Sequence, residues 1–208
     1  MIRRIGWGLM TGLALLIALY GMAILLVAAI RPPFVQERLV TMPLAAGLHF
    51  LGSVVALAVG PFQHNQRIRR RLTLHRWLGR IYVIAVLVGG TAALMLATVS
   101  QGGLTTHVGF GLLGGLWLVA TAMAYRHIRA GDQTSHRRWM VRSYALTYAA
   151  VMLRIYLPLS QVAGIPFEAA YQTIAWLCWV PNLIVAEWLI LQQQRSTAAR
   201  ESGSALAA

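Results

Sequence analysis

Six apolar runs, each close to the roughly 20 residues that cross about 30 Å of hydrocarbon, divide this chain of 208 residues. They cover about 5–30, 43–60, 77–99, 104–125, 139–157 and 171–191. Only 11% of residues are charged, against about 25% in soluble domains. The expected fold is an all-α integral membrane protein, a bundle of six transmembrane helices. The first run is too long for the 7–15-residue core of a signal peptide, so it is read as a retained helix. Three parts follow: 1–40, the first helix and an outer loop; 41–191, a five-helix core; and 192–208, a polar cytoplasmic tail without fixed structure. Pro158 is expected to end the fifth span, and Pro181 with Asn182 to bend the sixth.

Net charge +13 invites a nucleic-acid reading, but the basic residues are all arginine and lie between the apolar runs. With the N-terminus inside, inner segments hold fifteen arginines, Arg3, Arg4, Arg195 and Arg200 among them, and outer segments hold two, Arg31 and Arg38. That asymmetry is the positive-inside pattern, so both termini are expected in the cytoplasm of a prokaryotic cell, the protein lying in its inner membrane. No basic domain interleaved with aromatics exists outside the spans, which excludes a nucleic-acid partner.

The second to fifth spans each carry or border one histidine: His49, His75, His107 and His136. Because successive spans alternate in direction, His49 and His107 fall near the outer face, and His75 and His136 near the inner one. Facing helices of a bundle supply axial imidazoles to haem in this way. Cys178 is alone and no Cys-x-x-Cys-His motif is present, so such haem would be b-type, held without covalent links. Small residues line up beside the histidines: Gly52, Ala56 and Gly60 with His49, Gly79 and Gly90 with His75, Gly111 and Gly114 with His107. They leave room for a macrocycle or for another helix.

On the fifth span His136, Met140, Ser143, Thr147, Ala150 and Arg154 form one stripe at helical spacing, which should face the bundle. Arg154 costs about 2.5–3.5 kcal/mol at a helix centre and less near an end, and a haem propionate would suit it. Arg76, Arg80 and Arg142 would hold inner propionates or an anionic donor, while Glu187 is expected to pair with one of the same three arginines. His64, in a basic connector, and His127, at a helix end, are read as solvated structural residues. No Ser-His-Asp order, phosphate loop or His-Glu-x-x-His motif is present, and carboxylates are too few for a hard-metal cage.

Several stretches are distinctive together: Gly60-Pro61-Phe62-Gln63, His75-Arg76-x-x-Gly79-Arg80-x-Tyr82, and His136-Arg137-Arg138-Trp139-Met140-x-Arg142-Ser143-Tyr144-Ala145-Leu146. With Leu153-Arg154 and Pro181-Asn182 they resemble a prokaryotic membrane-protein family known only as domain of unknown function 2306. The resemblance covers about 44–190; its pattern includes His49, His75, His136 and Arg154, and is loose at His107. It implies a membrane location and no activity. The architecture, with histidines spaced by 26, 32 and 29 residues, also looks like the two-haem cytochromes b reduced by ascorbate. In that family the second span pairs with the fourth and the third with the fifth.

The expected function is transmembrane electron transfer by one or two b-type haems, a membrane oxidoreductase activity. A quinol or cytoplasmic reductant would supply the electron. The competing expectation is a non-haem membrane protein that binds a lipid, a hydrophobic small molecule or partner helices.

Overall fold

The computed structural model describes the backbone of residues 2–206 and the side chains of residues 5–198. Arg3, Arg4 and Arg200, counted above for orientation, lie outside the described side chains, and residues 207 and 208 of the tail lie outside the described backbone. The elements are α1 (Ile2–Leu26), α2 (Pro33–Thr41), α3 (Pro43–Gln63), α4 (Gln66–Arg70), α5 (Leu72–Ala97), α6 (Gly103–Arg129), α7 (Gln133–Thr147), α8 (Ala149–Val162), α9 (Phe167–Leu177) and α10 (Val180–Leu206). Six stretches are long and apolar enough to span a membrane: α1, α3, α5, α6, α7 with α8, and α9 with α10. One end of the bundle carries α4 and the arginine-rich connectors, and the other carries α2.

The chain leaves α1 under the control of Arg31. Its Nε donates to the Ile24 carbonyl at 2.8 Å and its Nη2 to that of Leu25 at 2.7 Å, so the open end of the helix is satisfied by a cation. Pro33 and Pro43 then start α2 and α3 at positions where a missing N–H costs nothing. Between α5 and α6 the backbone turns through Gly102 and Gly103, at φ +92° and +69°, a region that L side chains avoid. Gln172 Nε2 ties this turn to the last span by donating to the Gly102 carbonyl at 3.0 Å.

Both bends of the last two spans have side-chain causes. At Tyr148 the helix is interrupted after Thr147, whose hydroxyl donates back to the Ser143 carbonyl at 2.9 Å. At Cys178 and Trp179 it is interrupted ahead of Pro181, which has no N–H to give. Asn182 Nδ2 donates to the Cys178 carbonyl at 3.0 Å, at the break itself, and reaches that of Ala145 at 3.3 Å. The bend expected from Pro181-Asn182 is therefore present. Pro158, by contrast, does not end its span, because α8 continues to Val162. Membrane helices tolerate an internal proline when neighbours satisfy the freed groups. The tail also differs from expectation. α10 runs on to Leu206, through glutamine, alanine and arginine, all good helix formers, because extending an existing helix is far easier than starting one.

The interior is built from small residues. Ala14, Ala46, Ala56, Ala124 and Ala175 are fully buried, while Leu9, Leu19 and Leu104 are exposed. This inside-out pattern fits a lipid-facing surface. α3 and α5 approach closely where Gly52 meets Gly89. A Cβ on Gly52 would lie 2.6 Å from the Ala85 carbonyl oxygen and 2.8 Å from the Gly89 backbone.

Across the middle runs a buried hydroxyl network. Tyr82 Oη on α5 lies 2.8 Å from both Ser143 Oγ and Thr147 Oγ1 on α7. From α6, Trp117 Nε1 donates to Thr147 Oγ1 at 2.8 Å, and Thr121 Oγ1 meets Ser143 Oγ at 2.7 Å and the Trp117 carbonyl at 2.8 Å. Four hydroxyl protons face five acceptor contacts, so one proton is shared in a consistent assignment. Thr147 donates to the Ser143 carbonyl, Tyr82 to Thr147, Ser143 to Tyr82, and Thr121 divides its proton between its two acceptors.

Gly52→Ala is expected to cost about 1–3 kcal/mol, because backbone on the facing helix cannot yield. Gly12→Ala has no atom within 4 Å to meet and should be neutral or slightly stabilising. Thermal unfolding in one detergent compares them; equal midpoints would show that the α3–α5 approach does not limit stability.

Candidate functional site

Two polar regions stand at opposite ends of the hydroxyl network. At the α2 end is a cavity of about 610 Å³, lined among others by Tyr20, Phe34, Arg38, His49, Ser53, Phe110, Trp117, Thr147, Leu153 and Arg154. Its size lies within the roughly 300–1,000 Å³ typical of small-molecule sites. The walls are mainly apolar, with one imidazole and two guanidinium groups. Arg38 is already beside Glu37 at 3.5 Å. Arg154 Nη1 donates to the Ala150 carbonyl at 3.0 Å, and none of the ion pairs among the described residues includes it.

His49 is held by its backbone neighbours. Nδ1 lies 3.0 Å from the Gly89 carbonyl and 3.4 Å from Ser53 Oγ. A carbonyl only accepts, so Nδ1 carries the proton and Nε2 presents its lone pair. This is the arrangement by which a metal-binding histidine is usually oriented. His107 has the opposite tautomer. Its Nε2 donates to the Ser100 carbonyl at 2.9 Å, and it is not among the residues lining the cavity. The structure therefore puts His49 and Arg154 into one cavity and leaves His107 beside its own turn.

The stripe on the fifth span faces inward along its length. Met140, Ser143 and Thr147 are buried, and Thr147, Ala150 and Arg154 reach the cavity wall. At the arginine-rich end His136 Nδ1 donates to the Ala124 carbonyl at 2.9 Å, again freeing Nε2. His75 is close enough to His136 for their charges to interact, and its Nδ1 is shielded from solvent without a hydrogen bond. The predicted inner pair thus stands at one end of the bundle, where side chains cover the neighbouring glycines. The Tyr144 ring fills the shelf over Gly60, and Gln63 Oε1 lies 3.4 Å from where a Cβ on Gly79 would be. Gly90 and Gly114 likewise face Leu118 and Leu94. Most of the small residues beside the histidines admit neighbouring side chains or helices; Gly111 alone of those glycines has open space around it.

Of the three arginines expected to hold an anion, Arg142 is already engaged. It forms a two-pronged pair with Glu187, Nε to Oε1 at 2.5 Å and Nη2 to Oε2 at 2.8 Å, and lies 4.5 Å from the Trp139 ring centroid. The expected Glu187 pairing is thereby present. Arg80 is exposed and rests on Trp77 at 5.1 Å, and Arg76 is exposed.

His64 departs from expectation. The chain turns under the bundle after Gln63, and His64 packs against Tyr144 with ring centroids 5.5 Å apart and Nε2 shielded from solvent. It joins His75 and His136 and is not a solvated connector residue. Gln63 and Tyr144 were also missed as site residues. Their burial depends on α3 running one turn past Gly60-Pro61, and the only local signal was the motif that contains them. His127 is structural as expected, 3.3 Å from Asp132, which caps α7 by accepting from Ser135 N. Among the described residues no three His, Cys, Asp or Glu side chains converge as a metal site.

Residues 46–190 match the family described as Predicted membrane protein (DUF2306). The chain belongs to that family. No curated protein and no solved structure matches it. The family is the one whose motifs were quoted above, and the more distant likeness to ascorbate-reduced cytochromes b gains no support from these comparisons.

Burial, the Arg69 guanidinium, and the His136 and His75 imidazoles push His64 from its ordinary value near 6.5 down to about 4. Below pH 6.5 the unfolded chain takes up a proton that folded His64 refuses until about pH 4. Its contribution to stability is complete above pH 6.5 and is lost as pH falls towards 4. His64→Gln should therefore show a shallower fall in unfolding midpoint between pH 7 and 5 than the unaltered protein. An identical slope would mean that this imidazole does not govern the acid response.

Proposed function

We propose that the protein is a membrane electron-transfer protein that holds one b-type haem in the cavity at the α2 end. The observation that carries this reading is the shared position of His49 and Arg154 on one largely apolar cavity. His49 would hold the haem iron through Nε2, and Arg154 would pair with a propionate carboxylate. Haem when bound supplies one-electron redox chemistry. The residues of the chain do the rest. The Gly89 carbonyl fixes the tautomer and plane of His49, and the apolar walls formed by Phe34, Phe110 and Leu153 exclude water. Arg154 stabilises a negative charge that would otherwise be costly at this depth.

The arginine-rich end is taken as cytoplasmic on the fifteen-to-two arginine asymmetry, and a cytoplasmic reductant or a quinol in the bilayer would deliver the electron. His75 and His136 do not line that cavity, so the proposal rests on one haem. His107 is left out of the ligand set, because its Nε2 is spent on Ser100.

A second reading has its own support. Only one of the four aligned histidines lines the cavity, and an apolar molecule with a carboxylate or phosphate head would satisfy Arg154 equally well. The protein would then bind a lipid or a hydrophobic small molecule. Absorption spectra and haem content of protein purified from a haem-replete host separate the two. The haem reading expects a Soret band, near one haem per chain, loss of haem in His49→Ala and retention in His107→Ala. Colourless protein that carries an extractable acidic lipid, lost in Arg154→Gln, would replace it with the second reading.

A further inference from the structure

Four buried side-chain polar atoms lack a hydrogen-bond partner among the described residues: Gln63 Nε2, His64 Nε2, His75 Nδ1 and Tyr144 Oη. Leaving such a group unpaired costs about 1–3 kcal/mol, so native proteins keep few and give each a reason. Here they are gathered in one layer of the bundle. Gln63 and His64 end the span of α3, the Tyr144 ring covers Gly60 on that same face and packs on His64, and Gln63 lies against Gly79, one turn beyond His75. Gln63 and Tyr144 are only 6% and 4% exposed, so bulk water does not satisfy them.

All four atoms can donate at the same time. Gln63 Nε2 can only donate, the Tyr144 hydroxyl has a proton to give, and either imidazole nitrogen can carry one. The surrounding field is positive. Arg69 acts on His64, His75 and His136, Arg76 on His75, and Arg137 on His136. The two acids at this end are already engaged, Glu187 with Arg142 and Asp132 with His127 and the Ser135 N–H. Donors brought to one end of the bundle by three helices, with arginines around them, suit an anion that only accepts, such as phosphate, better than a neutral ligand. We infer that Gln63, His64, His75 and Tyr144 form a binding site for a phosphate oxyanion at the arginine-rich end. The ligand is either the phosphate of a lipid headgroup or free phosphate. The site is separate from the α2-end cavity and does not depend on what occupies that cavity.

The test uses the full chain purified in a phosphate-free detergent. Unfolding midpoints are measured with inorganic phosphate against chloride at equal ionic strength. They are then measured in bilayer discs of phosphatidylglycerol against discs of a galactolipid, which has no phosphate. A rise with inorganic phosphate assigns the free anion. A rise confined to phosphatidylglycerol assigns the headgroup. No rise in either arm would show that the layer holds water alone and would overturn the inference. Tyr144→Phe deletes one unpartnered hydroxyl, and Gln63→Leu deletes the unpartnered Nε2 together with Oε1. Without ligand they should unfold no earlier than the unaltered protein, while apparent affinity for the assigned ligand falls about tenfold, as for one lost hydrogen bond to a charged group. Full affinity retained in both variants would also overturn it.

Discussion

The hydroxyl network among Tyr82, Trp117, Thr121, Ser143 and Thr147 is the constraint on which the rest of the bundle depends. Lipid tails are as apolar as leucine, so burying leucine between membrane helices gains little over leaving it in the bilayer. Close packing and polar contacts must set the register instead. The network draws a tyrosine from α5, a tryptophan and a threonine from α6, and a serine and a threonine from α7 to one point. Sliding α7 by one turn would leave several of these groups unpaired in hydrocarbon. Model systems value one such contact at about 1–2 kcal/mol, and measurements within a folded membrane protein at about 0.6 kcal/mol. Stability therefore comes from the set acting together, whereas register comes from its geometry.

That register fixes both polar regions. Thr147 and Trp117 belong to the network and also to the wall of the α2-end cavity, so the face that continues to Arg154 is aimed by the same contacts. On the opposite side Tyr82 approaches Gly60, where the Tyr144 ring is seated. Glycine at positions 52, 60 and 89 lets α3, α5 and α7 come close enough for this. A side chain at any of the three would push the helices apart before a hydroxyl could reach its partner.

What could be read in the sequence follows from how local each signal is. Span length, helical stripes and arginine placement are properties of one segment, and from them the six spans, the inward face from Met140 to Arg154 and the bend near Pro181-Asn182 were legible. The Arg142–Glu187 pair was legible because a lone acid in an apolar run needs a cation, and only a few were at the right end. Pairings across helices were not legible. Nothing in the order of residues says that Tyr144 would occupy the shelf of Gly60, that α2 would contribute a cavity wall, or that His64 would turn under the bundle. The aligned glycines allowed a macrocycle or a helix on spacing alone, and most of them proved to admit the chain's own neighbours.

The histidines show where spacing stops being informative. His49 and His107 stand at matching ends of their spans and look equivalent in sequence. Their chemistry is decided by a backbone carbonyl on a different segment. Gly89 meets the Nδ1 of His49, and Ser100 meets the Nε2 of His107. One ring is left with Nε2 as its acceptor and sits on a cavity, whereas the other has spent that nitrogen on the turn that positions it. His136 follows His49, with Nδ1 on Ala124, but it stands at the arginine-rich end and is not on the wall of that cavity. A ligand-competent histidine thus needs three things at once: a carbonyl to hold the proton of the correct nitrogen, an open volume, and a charge partner for what enters it. In this bundle His49 has all three, and each of the three comes from a residue far from it in the chain.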